Sequence, residues 1–340
     1  MAFSQIWGQD SAIQILRQAL IHGRLAHAYL LAGPDGVGKR LTALTLAKAM
    51  NCLAPPESGE ACEGCASCRK INSGNHADVV RIEPDGDFIK IDQVRELQRQ
   101  LRFRPLEGGR RVCLLDSADR MNEAAANALL KTLEEPPAET HLILVTPRPH
   151  RLLATILSRC QWVKFRSLSR SHLARILQSV SSLSAEQTFF YASLSGGSAS
   201  QALFLADRLD FQKRLSWLET FAGLFRKSSA EIFEICGQLA KEEDALTDLL
   251  EIWKIWVRDL LVCKALPEGE EDRFINHDRM NEIRGQAREF SFEQLQEFYR
   301  RLAESQRNLA LKVNRQGALE TLMLEIRKRG NISPAVGDRN

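Results

Sequence analysis

The run Ala28-Tyr29-Leu30-Leu31-Ala32, followed at once by Gly33-Pro34-Asp35-Gly36-Val37-Gly38-Lys39-Arg40, narrows the choice of fold more than any other stretch of the chain. Five apolar residues in a row read as a short buried strand. A helical pattern through Leu41, Leu44, Leu46, Ala47 and Met50 follows the loop. Strand, G-x-x-x-x-G-K and helix in that order are the setting of a phosphate loop. Gly36 and Gly38 let the backbone approach a phosphate, amides at the helix N-terminus point at its oxygens, and Lys39 reaches the terminal phosphates. Gly33, Gly36, Gly38 and Lys39 are therefore candidate nucleotide-binding residues. The next position should carry a Ser or Thr hydroxyl for Mg²⁺. Here it is Arg40, whose guanidinium has no lone pair to offer a metal. The loop lacks one magnesium ligand, and whether it still holds ATP stays open.

The second half of an α/β core lies between Arg111 and Trp162. The apolar run Val112-Cys113-Leu114-Leu115 ends on Asp116, where a P-loop fold puts the acid that holds Mg²⁺ through water. The residue after it, Glu in hydrolysing proteins of this type, is Ser117, a poor activator of water. Leu142-Ile143-Leu144-Val145-Thr146 is the next strand; Thr146 either meets a γ-phosphate or simply ends the strand. Arg159 follows the helix end Ile156-Leu157-Ser158. It either reaches into a neighbouring subunit's phosphate site, to stabilise charge during phosphoryl transfer, or bonds a local carbonyl or carboxylate.

Between the two halves, Cys52 and Cys62-x-x-Cys65-x-x-Cys68 bring four thiols into one short segment. Four thiolates suit tetrahedral Zn²⁺, and the pattern reads as a structural metal site rather than a disulfide framework. His76 could replace one of these ligands, but reads rather as a surface histidine. Cys113, Cys160, Cys236 and Cys263 read as small buried hydrophobes. The length, 340 residues, calls for two or three domains. A net charge of +3 does not by itself demand nucleic acid, and the arginines between Arg99 and Arg111, and at Arg300, Arg301 and Arg307, read as solvated helix faces. No apolar run approaches the ~18–20 residues of a membrane span. No secretory signal is visible, so a cytoplasmic location is expected.

Elsewhere the pattern gives an opening helix within residues 3–23, a strand at Val79-Val80-Arg81-Ile82, and a helix from Ile91 with Asp92 as N-cap. Three helices follow from Ser169, and everything after Asp210 is helical, with a possible break between Asn314 and Gly317. The apolar stripes there read as bundle core, with Trp253 and Trp256 as a possible inter-subunit surplus. Residues 331–340 read as a disordered tail.

Taken together, residues 33–40, the four cysteines, Ala126-Asn127-Ala128-Leu129-Leu130-Lys131-Thr132-Leu133-Glu134-Glu135-Pro136-Pro137 and Ser158-Arg159-Cys160 resemble the bacterial clamp-loader subunits of the AAA+ class. The strong part of the resemblance covers residues 3–166; the helical C-terminal part matches in size and character. It implies an AAA+ P-loop core over residues 1–166 with a zinc module at 52–68, a three-helix lid at 167–208, and a helical collar at 209–330. It also implies a hetero-pentameric ring with gamma/tau motor subunits and a delta subunit, acting on a sliding clamp and primed DNA. Arg159, matched to the family's S-R-C arginine, would serve the adjacent motor's ATP site in trans. The hydrolysing members carry Thr at Arg40, Glu at Ser117 and an arginine of the lid at Ser200, so three catalytic parts are missing and a non-hydrolysing stator is expected. The alternatives are an active gamma/tau-type ATPase, and a free-standing zinc-containing P-loop protein that binds nucleic acid.

Overall fold

A computed structural model of the protein describes residues 2–56, 58–107, 109–240, 243–266, 273–310 and 314–330. The expected tail at 331–340 lies outside the described residues. The chain divides into two compact units, Met1–Ser181 with Ser195–Ala202, and Ser182–Leu194 with the chain from Leu203 onward.

The first unit is built on a parallel sheet of five strands, β1 (Ala28–Ala32), β2 (Val79–Ile82), β3 (Arg111–Leu115), β4 (Thr140–Thr146) and β5 (Gln161–Lys164), in the order β2-β3-β4-β1-β5. Every residue of β1, β3 and β4 is buried, which is why these stretches read as unbroken apolar runs. α1 (Asp10–Ile21) precedes the sheet; the helices between the strands are α2 (Lys39–Asn51), α3 (Ala66–Asn72), α4 (Ile91–Gln100), α5 (Glu123–Glu134) and the one-turn α6 (Ala154–Leu157), and α7 (Arg170–Val180) follows the last strand. Leu30, Cys113, Leu115, Leu142 and Leu144 turn one face of the sheet to Val94 and Leu97 of α4, Leu129 and Leu133 of α5 and Ile156 of α6. The other face is covered by α1 and α2.

Ile91 begins α4 as expected, but Lys90 stands at its N-cap and Asp92 lies within the first turn, where its charge still favours the helix dipole. The first expected helix is shorter than its pattern: residues Phe3–Gln5 form a single 3₁₀ turn and α1 starts at Asp10. His76 is buried rather than on the surface: its ring meets Ser67 Oγ at 3.1 Å and accepts from the Asp78 amide at 3.1 Å. Two polar hydrogen bonds on one ring are enough to remove it from water.

One buried ion pair fixes the far edge of the sheet. Asp78, just before β2, accepts from Arg111 of β3 at 3.0 Å and from the amides of Leu106 and Glu107 at 2.8 Å each. Arg111 also donates to the carbonyls of Gln100, Phe103 and Arg104. The pair thus pins the loop after α4 from beneath. Arg111, expected on a solvated face, is part of the core.

The second unit is helical: α8 (Ala185–Leu194), the end of α9 (Ala199–Arg208), α10 (Phe211–Gly223), α11 (Ser229–Leu239), α12 (Glu243–Ala265), α13 (Met280–Glu289), α14 (Phe292–Ala310) and α15 (Arg315–Gly330). α12 packs against α10, α13 and α14. Trp253 and Trp256 are core, not surface: their indole nitrogens donate to Trp217 O and Gln286 Oε1. Beside them the fully buried Arg214 donates to Asn276 and, through two nitrogens, to Asp278, while Asn276 donates to Asp259. The expected break between Asn314 and Gly317 is not found there: α15 is already helical from Arg315, with Asn314 Oδ1 accepting from the Gly317 amide at 3.2 Å. No helix among the described residues is long and apolar enough to cross a membrane.

Burial alone would raise the Asp78 carboxyl, but the amides of Glu107 and Leu106 and the Arg111 guanidinium hold it below the usual carboxylate range. Asp78→Asn is expected to lower the unfolding free energy by about 3 kcal/mol at neutral pH. The contribution is fully present above the unfolded carboxylate's pKa of about 3.9 and is lost as pH falls through the lower folded value. Urea midpoints of variant and parent should therefore differ at pH 7 and converge on acidification.

Candidate functional site

The strand order places the carboxyl ends of β1 and β4 side by side, with Ala32 opposite Thr146, and β3 on the far side of β4. Gly33, Asp116 and Thr146 are thereby gathered at one rim of the sheet, the usual ligand rim of such folds. The loop leaving β1 turns through Gly36 at φ +71° and Gly38 at φ +99°, which only glycine adopts without strain. Gly38 then serves as N-cap of α2.

The groups that would meet a magnesium nucleotide all have partners within the protein. Lys39 is buried, and its Nζ donates to the carbonyls of Gly33 at 2.6 Å and Pro34 at 2.5 Å. Burial draws its pKa below the usual lysine range, against the pull of Asp35, Asp116 and Asp119. Arg40 Nη1 lies 3.3 Å from Asp116 Oδ2 and Arg40 Nη2 lies 2.5 Å from Glu83 Oε1. A guanidinium thus sits on the carboxylate to which a magnesium shell would be tied. Ser117 adopts φ +52°, and its amide donates to Asp116 Oδ1. Thr146 both ends β4 and directs its hydroxyl to the buried Asp119 at 2.9 Å, while Arg148 Nε meets the other Asp119 oxygen at 2.9 Å.

Ser198 and Ser200 close the loop from the other side. The amide of Ala199 donates to Gly36 O at 2.8 Å. A Cβ at Gly36 would lie 2.0 Å from Ser200 Oγ and 2.2 Å from Ser198 Oγ. Glu83, Asp119 and Arg148 were not singled out from the sequence; for Asp119 the one available signal was its place three residues after Asp116 on the same rim.

Arg159 stands apart from this rim. It is about one-third exposed, its Nη2 pairs with Glu134 at 2.8 Å, and its Nη1 donates to Thr155 O at 3.0 Å and touches Ser158 Oγ at 3.4 Å. None of these partners belongs to the phosphate loop.

The four cysteines do come together. Cys52 caps the end of α2, Cys65 caps the start of α3, and the sulfurs of Cys52, Cys62, Cys65 and Cys68 all lie within 4.8 Å of one another. A tetrahedral Zn²⁺ with bonds of about 2.3 Å needs sulfurs about 3.8 Å apart, so the set can hold the ion. The amides of Cys62, Cys65 and Cys68 donate to the sulfurs of Cys52, Cys62 and Cys65 at 3.3, 3.3 and 3.4 Å, the kind of outer hydrogen bond that steadies a thiolate. Burial works to raise the Cys65 thiol, but the amides of Cys68 and Leu53 and the neighbouring thiols bring it down to about 6. The same forces leave Cys62 lowered, by the amides of Cys65 and Gly64, and Cys68 raised, by burial. Cys113, Cys160 and Cys236 are buried thiols away from this cluster, as expected; Cys263 is only half-buried.

Two family models match in tandem: "DNA polymerase III, delta subunit" over residues 8–169 and "DNA polymerase III, delta subunit, C terminal" over residues 208–328. The DNA polymerase III subunit delta' of Bacillus subtilis is 32% identical, covering 94% of this chain and 96% of the relative. The subunit delta' of Pseudomonas aeruginosa is 38% identical, over 67% of this chain and 66% of its own length. The subunit tau of Bacillus subtilis is 31% identical over 78% of this chain but only 51% of tau.

The cysteine geometry predicts one equivalent of zinc in metal analysis of the purified protein. Removing it with a chelator, or replacing Cys65 by Ser, is expected to lower the melting temperature of the first unit. Unaltered melting after verified removal would exclude a structural metal.

Proposed function

The chain belongs to the DNA polymerase III delta' subunit family, and on that footing we propose that it is the non-hydrolysing stator of a clamp-loader ring. In this reading it joins gamma/tau-type motor subunits and a delta subunit in a cytoplasmic hetero-pentamer that loads a sliding clamp onto primed DNA. Residues 1–166 are the AAA+ core with a zinc module at 52–68, residues 167–208 the lid, and residues 209–330 the collar. The interval between the two matched segments, 170–207, supports a separate lid.

The observation that carries the stator half of the proposal is Arg40 on Asp116. Its charge takes the part of the divalent cation, so the acid of the rim is neutralised without metal or nucleotide. Ser117 leaves the attacking water with no base, and Ser200 brings no cation to the phosphates. Lys39 and its loop remain, which keeps the gamma/tau-type reading in play: tau is itself 31% identical. Zn²⁺ held by Cys52, Cys62, Cys65 and Cys68 would stabilise the fold and take no part in phosphoryl transfer. Arg159, about one-third exposed and held by residues outside the chain's own loop, supports a role at a neighbour's ATP, where an arginine stabilises charge developing on the transferred phosphoryl group.

The isolated chain is expected to release no phosphate from ATP above background, and turnover at the rate of a motor subunit would overturn the stator reading. In a ring reconstituted with motor subunits, Arg159→Ala should still assemble, judged by sedimentation. Hydrolysis at the ATP site it serves should fall roughly a thousandfold, the usual worth of such an arginine. Unchanged DNA-stimulated turnover in that ring would remove the finger role.

A further inference from the structure

Glu134 is placed where folding alone gives no reason for it. It is the last residue of α5, Glu135 is the C-cap, and Pro136-Pro137 follow. A carboxylate at a helix C-terminus opposes the helix dipole, which favours cations there. Glu134 is half exposed, and an ion pair at such exposure adds little to stability. What the position does achieve is a fixed contact with Arg159.

That contact determines how the guanidinium is presented. Arg159 follows directly on the one-turn α6 and its C-cap Ser158, with its side chain about one-third exposed. Glu134 takes Nη2, while Thr155 O and Ser158 Oγ take Nη1. The guanidinium is a rigid planar fork, so fixing two of its three nitrogens fixes its plane. With Nη1 donating to two acceptors and Nη2 to one, the Nε–H and one hydrogen of Nη2 are left for an incoming acceptor. Two anchors, one ionic and one carbonyl, hold the side chain in a single pose before any partner arrives.

We infer that Glu134 is a positioning residue for Arg159, holding the guanidinium pre-oriented toward the phosphates of a neighbouring subunit's ATP. The inference rests on the finger reading of Arg159. Its physical basis is preorganisation: a long side chain ordered in advance does not lose its rotamer freedom in the transition state. The part that matters is an acceptor at the Glu134 position rather than its charge, because a carboxylate near a phosphate is itself repulsive.

The test is made in the reconstituted ring with ATP, clamp and primed DNA. Glu134→Ala is expected to lower kcat at the site served by Arg159 by roughly three- to tenfold with KM for ATP unchanged, since that nucleotide is bound by the neighbour's own loop. Glu134→Gln, which keeps the acceptor oxygen, should restore most of the loss. The urea midpoint of the isolated chain should be the same for all three proteins. Wild-type kcat in Glu134→Ala, in a ring where Arg159→Ala is inactive, overturns the positioning role and leaves the finger reading intact. A lowered urea midpoint that accounts for the loss makes Glu134 structural and also overturns it. Unchanged turnover in Arg159→Ala brings down the finger reading and this inference with it.

Discussion

The first unit depends on β1 being a parallel strand buried on both faces, with β4 on one side and β5 on the other. Such a strand has no polar face to give to water, so helices must cover both sides of the sheet, and each crossover must return to the same end. The carboxyl ends of β1, β3 and β4 then meet at one rim whatever the loops contain. Gly33, Asp116 and Thr146 are neighbours because of that packing requirement, whichever residues stand at 40 and 117.

The rim therefore has to balance its charges by other means. Carboxylates in a P-loop fold that lose their cation face one another unpaired, which is costly in a partly enclosed site. Here Arg40 spans Asp116 and Glu83, and Arg148 covers Asp119. Lys39 turns onto the carbonyls of its own loop. The second unit handles buried charge in the same way, with Arg214 set between Asn276 and Asp278 and stacked 4.2 Å over Phe190.

What could be read from the sequence was what backbone periodicity and short spacing control. The apolar runs of β1, β3 and β4, the glycine loop, the cysteine spacing and the helical second half are local signals, and each stands where the pattern put it. The misreadings share a different origin. Asp92 lost the cap to Lys90 because a two-residue shift of the helix start is invisible in composition. His76 and Arg111 were taken for surface residues because their partners, Ser67 and Asp78, are supplied by the fold and not by adjacent sequence. For Trp253 and Trp256 the core reading holds, and the inter-subunit alternative stood only because the Trp217 carbonyl and the Gln286 side chain that receive their indole protons lie 36 and 30 residues away. Among the site residues, Arg40 was legible as a missing ligand, but its pairing with Glu83 depends on the fold bringing the residue after β2 to the start of α2.

The contact of Arg40 with two acids has an evolutionary side. Positions 40, 83 and 116 form one electrostatic unit, so a change at any of them alters the fitness of changes at the others. Restoring a hydroxyl at 40 alone would leave Glu83 and Asp116 as uncompensated neighbours until a divalent ion filled the gap. Losing Asp116 alone would leave Arg40 held by Glu83 only. The three positions are in this sense locked together: a change at 40 is tolerated only when 83 and 116 change with it or a cation takes the guanidinium's place.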